Sequence, residues 1–140
     1  MKTRIIAALF ACFAVASCGD DPTATVDEGV FLSSDAMVYQ PGANVTVSLE
    51  NRTKSLIRAG HCESPNIQRH SGDEWVSMVF LCSISPPPVS DVNPSETLAL
   101  TMRYDSQVYP AGEYRAFQEI RDGDRNVIDV VYSSEFTFEE

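Results

Sequence analysis

The sequence predicts an all-β fold, an antiparallel sandwich of about seven or eight strands, and three observations carry that prediction. From Gly29 onward apolar residues recur with a period close to two, and no stretch of helical period exceeds about two turns. Turn-forming clusters such as Gln40-Pro41-Gly42, Pro110-Ala111-Gly112 and Asp122-Gly123-Asp124 punctuate that pattern at roughly ten-residue intervals. The chain has 140 residues. With a leader over 1–17 set aside, that is enough for one self-sufficient domain and too few for two.

The leader comes first in chain order. Lys2 and Arg4 precede Ile5 to Val15, an apolar run of about eleven residues, near a signal-peptide core and well short of the ~20 a bilayer span needs. Val15-Ala16-Ser17-Cys18 closes it and resembles the lipobox of bacterial lipoproteins, a run cut before a diacylated cysteine. The resemblance implies that residues 1–17 are removed, that Cys18 carries the lipid, and that two or more acyl chains hold the protein stably at a membrane. An ordinary secretory signal with Cys18 as a bystander is the competing reading. Gly19 after the lipidated cysteine, in place of an Asp, favours the outer membrane in a host that has one. Residues 18–29 are polar and small and read as a flexible tether.

The domain then occupies 30–140. Met37-Val38-Tyr39 is a first short strand. Val45, Val47 and Leu49 alternate with Asn44, Thr46, Ser48 and Glu50, the clearest half-buried strand in the chain. Leu56-Ile57 opens the next strand after a polar turn. Ile67 to Arg69, a turn over His70 to Glu74, and Trp75 to Leu81 form a hairpin, with Trp75, the sole tryptophan, expected in the core. Ser85-Pro86-Pro87-Pro88 cannot continue a ladder and makes a rigid connector. Leu98, Leu100 and Met102 mark another alternating strand. Tyr114 to Ile120, Val127 to Val131 and Glu135 to Phe138 supply the last strands.

The series Tyr39-Gln40-Pro41-Gly42, Gly72-Asp73-Glu74-Trp75, Asn93-Pro94-Ser95-Glu96-Thr97, Pro110-Ala111-Gly112-Glu113-Tyr114-Arg115 and Ser134-Glu135-Phe136-Thr137-Phe138 resembles bacterial immunoglobulin-like domains over about 30–138. Gly112-Glu113-Tyr114 is similar to the tyrosine corner of such folds, in which the hydroxyl ties back to nearby backbone. The cysteines depart from that pattern, because a bridge between Cys62 and Cys82 would be a local staple and not the usual link between sheets.

Charge narrows the function. The chain carries 10 basic and 20 acidic residues for a net charge of −10, and loss of Lys2 and Arg4 with the leader takes the remainder to −12. Such a surface repels nucleic acid. Cys12 leaves with the leader and Cys18 takes the lipid, so Cys62 and Cys82 remain as an even pair in an oxidising compartment. A disulfide there stabilises the fold by roughly 3 kcal/mol in the chain-entropy picture. The alternative is a metal held by His61, Cys62, His70 and Cys82, although their spacing matches no zinc knuckle. Asp122-Gly123-Asp124-Arg125-Asn126 has oxygen donors at alternate positions, but Val127 stands where a calcium loop needs glycine, and a hairpin turn accounts for the same residues.

No catalytic motif is present: no G-x-S-x-G elbow, no H-E-x-x-H helix, no phosphate-binding glycine loop. The expectation is a non-enzymatic envelope lipoprotein without a cofactor or resident metal, binding a protein or a glycan. Pro86, Pro87 and Pro88 are the candidate contact loop, and the Glu113–Ile120 strand edge is the other candidate contact surface. A second expectation is protease inhibition, since some secreted bacterial sandwiches resemble the BsuPI inhibitor family. Residues 83–92 would be the inhibitory loop, stiffened by proline.

Overall fold

A computed structural model describes residues 28–62, 64–78 and 87–140. The leader 1–17, Cys18, most of the tether, Cys82 and Pro86 lie outside the described residues. Eleven strands and no helix occur among those described. They are β1 (Val30–Ser34), β2 (Val38–Tyr39), β3 (Asn44–Asn51), β4 (Ile57–Gly60), β5 (Asn66–Ser71), β6 (Glu74–Met78), β7 (Val89–Val92), β8 (Thr97–Arg103), β9 (Gly112–Arg121), β10 (Val127–Tyr132) and β11 (Phe136–Phe138).

The chain is an immunoglobulin-like sandwich of two sheets. The smaller runs β1-β3-β8, and the larger runs β2-β11-β9-β4-β7, with β10 and the β5–β6 hairpin also on β9. Every pairing is antiparallel except β2 with β11. The strand count exceeds the expected seven or eight because β9 is long and each of its edges is shared. β11 and then β10 line one edge, while β5 and then β4 line the other. The hairpin turn is tighter than the sequence suggested: β5 runs to Ser71 and Glu74 already starts β6, with Gly72 at φ 65 in the first turn position.

Alternation fixes which side chains face inward. Val45, Val47, Leu49 and Asn51 point in from β3, and Tyr114, Ala116, Gln118 and Ile120 from β9. Between the sheets sits an aromatic cluster of Tyr39, Tyr104, Tyr109, Tyr114, Phe136 and Phe138, all buried. The tyrosine corner forms as expected: the Tyr114 hydroxyl donates to the Pro110 carbonyl at 2.6 Å. Trp75 is the exception. It stands opposite His70 in the β5–β6 register, and Ile67 takes the buried position on β5 at 0% exposure. Period two therefore sends His70 and Trp75 to the outer face, leaving the core to tyrosine and phenylalanine.

The two ends of the sandwich are distinct. Gly29 accepts from the Arg52 amide at 2.8 Å, and Asn51 donates to Val92 at 2.9 Å, so the chain enters beside β7 and the Asp122–Asn126 turn. The β5–β6 turn, Gly112 and Glu139 lie at the opposite end, where Arg69 donates to Ala111 at 3.1 Å and Tyr104 to Glu139 at 2.6 Å. Gly112, at φ 149, adopts a backbone closed to other residues and leaves room for the Arg69 guanidinium above it.

Tyr39 links β2 to the turn after β1. Its hydroxyl donates to Asp35 and accepts from the Ala36 amide. Burial raises the Asp35 carboxyl, but hydrogen bonds from the Tyr39 hydroxyl and the Thr46 amide outweigh this and hold it below the usual range. Burial, then the Asp35 hydrogen bond, pushes Tyr39 up to about 12 from 10.0. Tyr109 is likewise pushed to about 12 by burial and by Tyr114 and Asp105. Both phenols ionise near 10 in the unfolded chain, so the folded state holds more protons between those values. Stability is complete below the unfolded pKa and is lost as pH rises toward the folded one. Urea titrations at about pH 8 and about pH 11 should show a lower midpoint at the higher pH, with a smaller drop in Tyr39→Phe. Equal midpoints would contradict this account.

Candidate functional site

The outer face of the larger sheet gathers the polar and aromatic side chains that alternation excludes from the core. Arg115 and Phe117 point out from β9 between its buried positions. Register places Gln68 opposite Arg115, Ser77 opposite Gln68, and Tyr132 opposite Phe117. The Arg115 guanidinium lies between two rings, 4.5 Å from the Trp75 centroid and 4.1 Å from that of Tyr132. Its Nε donates to Gln68 Oε1 at 2.8 Å, and Gln68 Nε2 donates onward to Ser77 Oγ at 3.3 Å. His70 packs on the other side of this group, 4.8 Å from Trp75, with Nδ1 3.2 Å from Glu113 Oε2. Side chains from β5, β6, β9 and β10 thus form one stack. Each cation–π contact at a partly exposed site contributes about 0.5–1 kcal/mol.

Nearer the end where the chain enters, the same face opens into a cleft of about 140 Å³ lined in part by Gly60, His61, Cys62, Pro87, Phe117 and Arg121. A Cβ on Gly60 would come within 2.7 Å of Arg121 Nε, so the glycine is what lets that guanidinium cross the strand. Arg121 is held by Glu119 and by the Arg125 carbonyl. His61 Nε2 lies 2.8 Å from Ser90 Oγ. That is the spacing of a nucleophile and its base, but among the described residues His61 Nδ1 is buried without a hydrogen-bond partner. Among those residues no group bonded to Nδ1 orients the ring as a working triad requires.

The residues nominated from sequence are dispersed. Cys62 is disulfide-bonded, while Cys82 lies outside the described residues. His61 and Cys62 border the cleft, whereas His70 sits in the Trp75 stack at the other end of the face. Among the described residues no three His, Cys, Asp or Glu side chains are grouped to hold a metal ion. Pro87 and Pro88 lead into β7, and the Pro88 carbonyl accepts from the His61 amide at 3.1 Å. The inhibitory loop expected over 83–92 is correspondingly shorter, because Val89–Val92 is a strand paired with β4 and Val92 is 2% exposed.

The Asp122–Asn126 segment is a turn. Asp122 Oδ1 accepts from the Asp124 and Asn126 amides at 2.8 and 2.9 Å, and Arg125 adopts φ 66. The Asn126 side chain and amide hold the Asp122 carboxyl below the ordinary range. With that carboxylate occupied by its own turn, the hairpin reading accounts for the residues.

The Glu113–Ile120 edge expected as a contact surface is not open, because β9 is paired with β10 and β11 on one side and with β4 and β5 on the other; its Arg115 contributes through the outer face instead, and Tyr132, Gln68 and Ser90 were not foreseen. The alternation over Tyr114 to Ile120 did carry a signal, since it puts Arg115 and Phe117 opposite the buried set. The partners that complete the stack come from strands distant in sequence.

No family model and no curated protein matches this chain. Among solved structures it is similar to a β-glucosidase from Listeria innocua in complex with glucose, at 12% identity over 80% of this chain with a TM-score of 0.37. The same enzyme in complex with isofagomine gives 12% over 79% with 0.36. This chain spans 16% of the length of each of those structures.

Proposed function

We propose that this chain is a non-catalytic bacterial envelope lipoprotein whose immunoglobulin-like domain binds a protein or glycan partner through the outer face of its larger sheet. The observation that carries the reading is the surface stack of Trp75, Arg115 and Tyr132, the last 46% exposed. Tryptophan, tyrosine and arginine are the residues that most often dominate binding energy at interfaces. A domain that needed them only for stability would bury the rings. Pro87 borders the same face, at its rim. In this reading Cys18 is lipidated and Cys62 pairs with Cys82.

Topology favours the arrangement. A tether entering at the Gly29–Asn51 end leaves the β5–β6 turn, Trp75 and His70 at the end away from the membrane. Two measurements test the proposal. The protein with Cys18→Ser should move from the membrane pellet to the soluble fraction, and mass spectrometry of native protein should find an acylated Cys18 at the amino terminus. Persistence in the pellet would refute the anchor. An envelope partner that co-isolates with native protein should be lost on Tyr132→Ala while the melting temperature falls by no more than about a few degrees, and retention would move the contact off this face.

A further inference from the structure

We propose that Arg115 is the receptor for a carboxylate carried on a sugar ring, so that this face recognises an acidic glycan. The inference rests on the binding role proposed above and names the ligand of that same site. The guanidinium is fixed before any ligand arrives. Its Cζ lies over the rings of both Trp75 and Tyr132, and its Nε is committed to Gln68. Among the described residues neither terminal nitrogen has a hydrogen-bond partner. What remains is a planar fork of donors, the shape that a carboxylate accepts with two parallel bonds. Because packing already holds the rotamer, little ordering is lost on binding.

Charge and surroundings select among anions. One guanidinium matches one negative charge. The neighbouring carboxylate, Glu113, is engaged by His70, and the chain as a whole stands at −10. A phosphate dianion would bring surplus charge to this site, and a run of acidic side chains would be repelled before contact. A pyranose bearing a single carboxylate avoids both costs. Its C–H face fits the exposed ring of Tyr132, and its hydroxyls fit the Ser77 and Gln68 row beside Arg115. A peptide carboxylate would leave that polar row unused.

Trp75 is the sole tryptophan, 4.5 Å from the receptor group, so its fluorescence reports directly on binding. Titration of the full domain with a trisaccharide carrying a single galacturonate unit should give a saturable change, and its methyl ester should bind about tenfold more weakly. Arg115→Lys, which keeps the charge and loses the fork, should weaken the acidic trisaccharide by about tenfold while far-UV circular dichroism stays that of the native fold. Equal affinity for the ester, or no saturable change at millimolar sugar, overturns the proposal. Tighter binding of a hexaglutamate peptide overturns it in favour of a protein partner. A partner that is lost on Tyr132→Ala while the sugars fail to bind removes this inference and leaves the broader binding role intact.

Discussion

Replacing Phe138 with alanine should lower the unfolding free energy by about 3–5 kcal/mol, a large share of the whole for a domain of this size. Phe138 is fully buried, and five rings surround it. Tyr104 stacks at 4.1 Å, Tyr114 lies at 4.5 Å, Phe136 at 5.4 Å, and Tyr39 and Tyr109 at 5.9 Å. Truncation loses the transfer energy of the ring and the aromatic contacts, and leaves a cavity walled by large, stiff side chains that collapse poorly. Two of those walls are further constrained, Tyr114 by its bond to Pro110 and Tyr104 by its bond to the Glu139 carbonyl. Urea denaturation checks the figure. Phe138→Leu, which keeps most of the volume, should lose markedly less. A loss below about 1 kcal/mol for the alanine variant would mean that this cluster does not anchor the fold.

The same cluster explains the position of Trp75. Six rings fill the space between the sheets, and the inward positions of the hairpin are taken by Ile67 and the partly buried Met78. A tryptophan on β6 in this register has no interior left to occupy. Its burial comes from lying against Arg115 and His70, so packing saturation in the core and a recognition surface outside it follow from one sheet register.

Strand periodicity made much of this architecture legible. The alternations Val45-Val47-Leu49 and Leu98-Leu100-Met102 became β3 and β8, paired over seven residues, and Gly112-Glu113-Tyr114 became the corner. Val30–Ser34 and Val89–Val92 were missed for a physical reason. Ser33 and Ser34 blur the first, and the prolines before Val89 disguise the second, whose ladder begins just where the amide donors return. The candidate site was illegible for a different reason. Apart from Trp75, whose rarity pointed to the core, its members are ordinary in their own strands, and the guanidinium stack exists only because β9 brings β5 and β10 to its two edges. A local pattern cannot encode a pairing between residues tens of positions apart. The lipobox, by contrast, is entirely local in sequence.

Asn51 marks the other place where a single atom type decides stability. It ends β3 of the smaller sheet at 0% exposure, with all four of its hydrogen-bonding valences used. Nδ2 donates to the Ser55 carbonyl at 2.8 Å and to the Val92 carbonyl at 2.9 Å, so the side chain ties the smaller sheet to β7 of the larger. Oδ1 accepts from the Thr53 amide at 3.0 Å and its hydroxyl at 2.7 Å. Asn51→Asp preserves shape but replaces two donors with an acceptor that faces two carbonyl oxygens, one of them buried. At pH 7 the expected loss is about 3 kcal/mol or more, because either a charge is buried against like dipoles or its proton must be retained at a cost. The sign with pH follows. Repulsion and burial raise the folded-state pKa of the introduced acid above its unfolded value, so the variant is least penalised below the unfolded value and loses stability as pH rises through the folded one. Asn51→Leu lacks a titrating group and should lose stability by a similar amount at both ends of that range. Urea midpoints of the two variants at about pH 4 and about pH 7 should therefore diverge for aspartate and coincide for leucine, each taken relative to native protein. Parallel behaviour of the two would show that the amide's donors do not hold the sheets together.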